Sequence, residues 1–174
     1  MVDQILASPV ALPPGPWKCV GDASVGGLLF VGFAPDSDLL LATSSQGRGV
    51  FDATNGKRIA RDRNEDFSED TIKMEAVGIG PLDGQTIRMA GIYGGGLPIT
   101  TADGWQAERL AIQWPLETLL LVSPGSWVYG ASFGKNAEMT KVFVDSEIRA
   151  WGFSPTGRSL ILALSNGLRI YSRQ

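Results

Sequence analysis

The chain has 174 residues, enough for one domain with a sizeable core, and a net charge of −3 with no basic run, which argues against a phosphate-backbone partner. It contains no histidine, which removes Ser-His-Asp and Cys-His catalysis, His-ligated zinc and the usual near-neutral proton shuttle. The single cysteine, Cys19, allows no internal disulfide, and 22 glycines with 10 prolines point to many turns.

Residues 1–16 carry a weak apolar stretch that ends in Pro13-Pro14-Gly15-Pro16. The prolines favour an extended lead-in, and no basic segment gives it the shape of a signal peptide. Residues 17–20 are expected to form a short strand, with Cys19 as a small buried hydrophobe. Residues 28–33, 39–44, 48–53 and 57–62 then read as four strands. Pro35-Asp36-Ser37-Asp38 and Ser45-Gln46-Gly47 supply two turns, and Asn55-Gly56 is expected to make a type I′ turn.

Three weaker copies of this opening follow. An apolar residue two positions before a proline recurs at Phe33/Pro35, Ile79/Pro81, Val122/Pro124 and Phe153/Pro155, with proline spacings of 46, 43 and 31 residues. Later strands are expected at 86–92, 97–102, 105–112, 127–132, 139–145, 148–153, 159–164 and 168–172. The helical rival at 107–114 is ended by Pro115. The longest apolar runs, 119–122 and 160–164, are far short of a membrane span, so a cytoplasmic chain without a membrane contact is expected.

The fold class is therefore all-β. A four-stranded sheet cannot bury both faces alone, so such units stack around an axis. The expectation is a small β-propeller of about four antiparallel blades, preceded by the lead-in at 1–16. The blades fall at about 26–62, 72–112, 117–145 and 148–172. The last lacks an outer strand, which residues 17–20 would supply by pairing the two ends of the domain (17–174). The alternative is a half-ring that pairs with a second copy.

The first unit resembles a WD-repeat blade. Gly32-Phe33-Ala34-Pro35-Asp36-Ser37 matches the F-S-P-D-G turn of that family, and Val50-Phe51-Asp52-Ala53-Thr54-Asn55-Gly56-Lys57 matches I-W-D-x-x-T-G-K, with Phe51 in place of tryptophan. Gly152-Phe153-Ser154-Pro155-Thr156-Gly157-Arg158 repeats the first half. The resemblance implies a rigid, non-catalytic platform that binds other macromolecules. Without histidine, the His-Asp network usual in that family cannot form here.

Residues 62–70 hold five acids and one base, Asp62, Arg63, Glu65, Asp66, Glu69 and Asp70, around Phe67. This segment is either a solvated loop or a negative patch that docks a basic partner with Phe67 as an apolar anchor. Its spacing departs from a calcium loop, and no cofactor or metal is expected. Gly91-Ile92-Tyr93-Gly94-Gly95-Gly96 lacks the helix and Lys-Ser/Thr of a phosphate loop and reads as a hairpin turn. Trp114 and Trp151 are expected in the core. Trp105 and Trp127 follow Asp-Gly and Gly-Ser turns, where interface anchors would lie.

The candidate protein-binding set is Asp62, Glu65, Asp66, Phe67, Glu69, Asp70 and Trp105. The functional expectation is a non-enzymatic binding scaffold or inhibitor, in its specific form an acidic immunity-type protein that caps a basic toxin or enzyme. The rivals are a homo-oligomeric assembly subunit that pairs through an open edge at 139–145, and a carboxylate glycosidase using acids such as Asp83, Asp103 and Asp145.

Overall fold

The structure, a computed structural model, describes residues 1–64 and 69–173. A short helix, α1 (Val2–Ala7), comes first, followed by β1 (Lys18–Ser24). A four-strand meander follows: β2 (Leu28–Phe33), β3 (Leu39–Ser44), β4 (Gly47–Asp52) and β5 (Lys57–Asp62). Next come β6 (Glu69–Asp70), β7 (Glu75–Val77), β8 (Thr86–Arg88) and β9 (Ala90–Gly91). The second half holds β10 (Gln106–Gln113), β11 (Leu116–Val122), β12 (Met139–Asp145), β13 (Ile148–Phe153), β14 (Ser159–Leu164) and β15 (Gly167–Ser172).

These strands make four antiparallel sheets, ordered β5-β4-β3-β2-β9, β6-β7-β8, β10-β11-β12 and β1-β15-β14-β13. The all-β expectation holds. β1 pairs with β15, from Lys18 opposite Ser172 to Ser24 opposite Gly167, so the two ends of the domain share a sheet. No helix among the described residues is long and apolar enough to cross a membrane.

The continuous apolar runs acquire a simple meaning here. Successive strand residues face opposite sides, and in this chain both sides are buried. In β14, Leu160 and Leu162 enter the core shared with β10-β11-β12, while Ile161 and Ala163 enter the core shared with β2 to β4. In β3, Leu40 and Ala42 face β13 to β15, whereas Leu41 meets Ala76 and Ile87 of the small sheet and Leu82 of the 3-10 turn between β7 and β8. In β11, Leu119 and Leu121 face β13 and β14, while Leu120 and Val122 meet Ile5 of α1. The sheets thus follow one another in a row: β6-β7-β8, the β2 meander, the β13 meander, then β10-β11-β12 capped by α1.

Several expectations are corrected. The lead-in is helical before Pro9, because Ile5 gains a buried site against Leu120, Val122 and Val128. Residues 72–112 do not form one blade. β9 pairs with β2, and β10 pairs along its length with β11, keeping of its expected pairing with 97–102 only a Thr100–Gln106 bridge and the bond from the Ala107 amide to Ile99 O. Residues 97–102 form no strand, and 127–132 turn into a 3-10 segment, Gly130–Phe133. The Asn55-Gly56 turn is a four-residue loop rather than type I′, with only Gly56 at positive φ (+73°). Asp52 closes it by accepting from the Thr54 amide and hydroxyl and the Asn55 side chain, at 2.9, 2.6 and 2.7 Å. Cys19 is exposed.

Two devices lock the central pair of sheets. The segment after β8 runs along β2 and β13: Ala90 and Gly91 pair with Val31 and Phe30, and the Phe153 amide donates to Pro98 O at 2.7 Å. Such an approach needs Gly152, whose φ of +147° and proximity to Leu97 leave no place for a Cβ. The Gly-rich stretch 91–96 therefore lies beside the inner strands. The second device is Asp38, whose side chain is 4% exposed and reaches from the first Pro turn to the last. It accepts from Ser159 Oγ at 2.8 Å, Thr156 Oγ1 at 2.9 Å and Arg158 Nη2 at 3.0 Å. Burial alone would raise its pKa, but the hydrogen bonds from Ser154, Ser159, Thr156 and Arg158 hold it below the ordinary carboxylate range.

Candidate functional site

The acidic segment begins at the end of β5. Asp62 pairs with Arg48 at 2.7 Å and accepts the Asn64 amide at 2.9 Å, and the amide and the guanidinium together lower its pKa. Glu65, Asp66 and Phe67 lie outside the described residues. Glu69, on β6, is half-buried, and its burial raises its pKa against the opposing pull of Thr43 and Arg48. Asp70 accepts the backbone amides of Lys73 and Ile72 at 2.9 and 3.1 Å, which lowers its pKa and makes it the cap of the β6–β7 turn. Asp62 and Glu69 thus converge on Arg48, and Asp70 serves its own turn. The acids described have local partners and do not stand as an open negative patch.

Trp105 is not on a rim. It is 6% exposed, packed edge-on against Trp17 with ring centroids 5.9 Å apart, in the core between β10-β11-β12 and β13-β14-β15. The Asp103-Gly104 turn that suggested exposure folds the chain back inward. The Trp105 amide donates to Thr101 Oγ1 at 2.9 Å, and Asp103 accepts from both Thr101 and Arg173. Arg173 in turn covers the Trp17 ring at 4.9 Å. Trp114, expected in the core, is 84% exposed at the tip of the β10–β11 hairpin. Trp151 is half-buried, with Arg109 stacked on its ring at 4.1 Å and its Nε1 donating to Ala107 O.

A different group of side chains is gathered at the surface. The loop between β11 and β12 carries Trp127, Tyr129 and Phe133, each more than two-fifths exposed. Trp127 stacks on Phe133 with centroids 5.3 Å apart at 24°, and meets Tyr129 edge-on at 5.5 Å. The loop is tightly braced. The Trp127 amide donates to Asn136 O at 3.1 Å, and the Gly130 amide to Trp127 O at 2.8 Å. Val128 points inward to the α1 core, so the alternation 127, 128, 129 directs the two flanking rings outward. Gly130 has no room for a Cβ because Asn136 O sits where it would be.

Three wet aromatic rings on a braced loop form a rigid apolar surface. Large rings of this kind lose little conformational entropy on contact, and Trp and Tyr are enriched among the residues that dominate interface energies. The sequence signal was present but weak: Trp127 stood beside a Gly-Ser turn, whereas Tyr129 fell inside the strand expected at 127–132 and Phe133 just after it.

The expected acceptor edge at Met139–Asp145 is crossed by the chain's own N-terminal segment. The Ala11 amide donates to Lys141 O at 2.9 Å, and Lys141 Nζ donates to Leu6 O at 3.3 Å. Asp83 is an exposed residue beside a 3-10 turn, and Asp145 caps the β12–β13 turn through the Ser146 and Glu147 amides. Among the described residues no three His, Cys, Asp or Glu side chains converge as metal ligands. Compared with protein-family models, curated proteins and solved structures, the chain finds no significant match.

Proposed function

We propose that the chain is a non-catalytic, cytoplasmic protein-binding module built from propeller-like blades, and that it docks a basic protein through Trp127, Tyr129 and Phe133. The observation that carries this reading is the exposed aromatic trio on a loop fixed by backbone hydrogen bonds. The chain's net charge of −3 favours a partner of opposite sign, which speeds encounter while the rings supply the short-range affinity. Inhibition of a basic toxin or enzyme is the specific form of this role. Pairing of copies through β12 is the rival, and the N-terminal segment lying on that edge counts against it.

The test compares wild type, a Tyr129→Ser/Phe133→Ser double variant and a Trp114→Ser control in quantitative co-purification from the source cells. The partner is then purified and titrated directly. The expected result is one basic protein retained by wild type and by the control, and depleted at least about ten-fold by the double variant. Equal retention by all three, or none by any, overturns the reading.

A further inference from the structure

A cleft of about 70 Å3 lies between the β1–β2 turn and strands β4 and β5, the latter at the sheet edge. Its lining includes Ser24, Gln46, Gly47, Gly49, Arg58 and Arg61. Two features of this cleft point to a ligand. The first is its charge. Five of the chain's arginines, Arg48, Arg109, Arg158, Arg169 and Arg173, pair with carboxylates, whereas Arg58 and Arg61 have no such partner among the described residues. Both are exposed.

The second feature is how they come together. Residues three apart on a regular strand face opposite sides. In β5, however, Ala60 lies opposite Val50 while Arg58 lies opposite Phe51, so Ile59 is an extra residue, a β-bulge. The bulge returns Arg58 to the face that Arg61 occupies, the face of Gly49 and Phe51. Across from Arg61 stands Gly49, with no side chain to fill the space, and the Arg58 stem passes over that glycine. The result is a bare floor flanked by two arginines of one strand face, with the Gln46 carboxamide beside Gly26 on the far wall.

We propose that this cleft binds a small tetrahedral oxyanion of the phosphate class. A cavity of this volume holds about two waters' worth of liquid, which a single such ion can replace. Guanidinium groups present paired donors that match its oxygens. In a chain that is acidic overall, two unpaired arginines re-aimed into one cleft supply the local positive field such an ion requires.

The test is a 1H–15N NMR titration of the full chain with sodium phosphate against sodium chloride at matched ionic strength. Wild type is expected to show saturable shifts at Gln46, Gly47, Gly49 and the Arg58 and Arg61 Nε–H groups, with phosphate only. Arg58→Gln or Arg61→Gln should weaken binding about ten-fold each, and the pair should abolish it. Arg88→Gln, an exposed arginine on β8, should leave it unchanged. Gly49→Ala keeps both charges and meets only ordinary contacts, the nearest Phe51 Cε2 at 3.4 Å, yet narrows the floor, so it should also weaken binding. Shifts that fail to saturate, that chloride reproduces, or that survive Arg58→Gln/Arg61→Gln would overturn the site. Retention of full affinity by Gly49→Ala would place the ion elsewhere and overturn it too.

Discussion

Replacing Asp38 by Ala should destabilise the protein by about 3 kcal/mol. The figure follows from what each partner loses. Ser159 is fully buried, so its hydroxyl, now without an acceptor, pays a desolvation penalty of about 1–3 kcal/mol. Buried Ser154 keeps Thr156 Oγ1 as a partner at 3.1 Å, Thr156 is exposed and finds water, and Arg158, 60% exposed, contributes about 1 kcal/mol or less. At this chain length such a loss corresponds to a fall in Tm of roughly 10 °C. Asp38→Asn keeps an acceptor oxygen but not the charge and should cost about half as much. The folded pKa is lowered, so the stabilisation from ionised Asp38 is complete above its ordinary value of 3.8 and is lost as pH falls through the lower folded value. Urea denaturation of wild type and Asp38→Asn should therefore give a constant difference from pH 7 to pH 5, shrinking below about pH 4. A penalty under about 0.5 kcal/mol for Asp38→Ala, or one for Asp38→Asn that does not change with pH, would refute the reasoning.

Glu69 has the opposite sign. Its folded pKa is raised above the ordinary 4.5, so wild-type stability falls as pH climbs from about 4.5 through the raised value, and Glu69→Gln should gain on wild type over that window and stay ahead at pH 7, as read by thermal melts. Leu162→Ala should cost about 2–5 kcal/mol in urea denaturation, since the side chain is fully buried between two sheets. Acrylamide should quench the fluorescence of Trp114 and Trp127 strongly and that of Trp17 and Trp105 little; single Trp→Phe variants assign each contribution, and a quenchable Trp105 would contradict its place in the core.

The first and last units were legible because their signals are local. Pro35-Asp36-Ser37 and Pro155-Thr156-Gly157 announce turns, and the apolar residues around them lie in strands that pair with their chain neighbours. The pairing of β1 with β15 followed from counting strands in the last unit. The middle was harder to read because its strands are short and one of them pairs far along the chain. Nothing near Ala90 shows that it will pair with Val31, nor does the alternation in 106–113 reveal whether its partner precedes or follows it. The tryptophans failed for a related reason. Trp114 sits in apolar company but at a hairpin tip before Pro115, while Trp105 follows a polar turn that happens to close onto the core. A run such as Leu160 to Ala163 identifies a doubly buried strand, but not which two sheets cover it. Arg58 and Arg61 carried no signal at all, since only the bulge at Ile59 puts them on one face.

The claim that the aromatic trio is a protein-docking surface is tested most directly by site-specific photocrosslinking in the source cells, with benzoylphenylalanine at position 133 and, as control, at position 114. The account predicts a discrete adduct with one basic protein from position 133, competed by excess unlabelled chain and absent from position 114. No adduct at 133, or the same diffuse set of products from both positions, would contradict it.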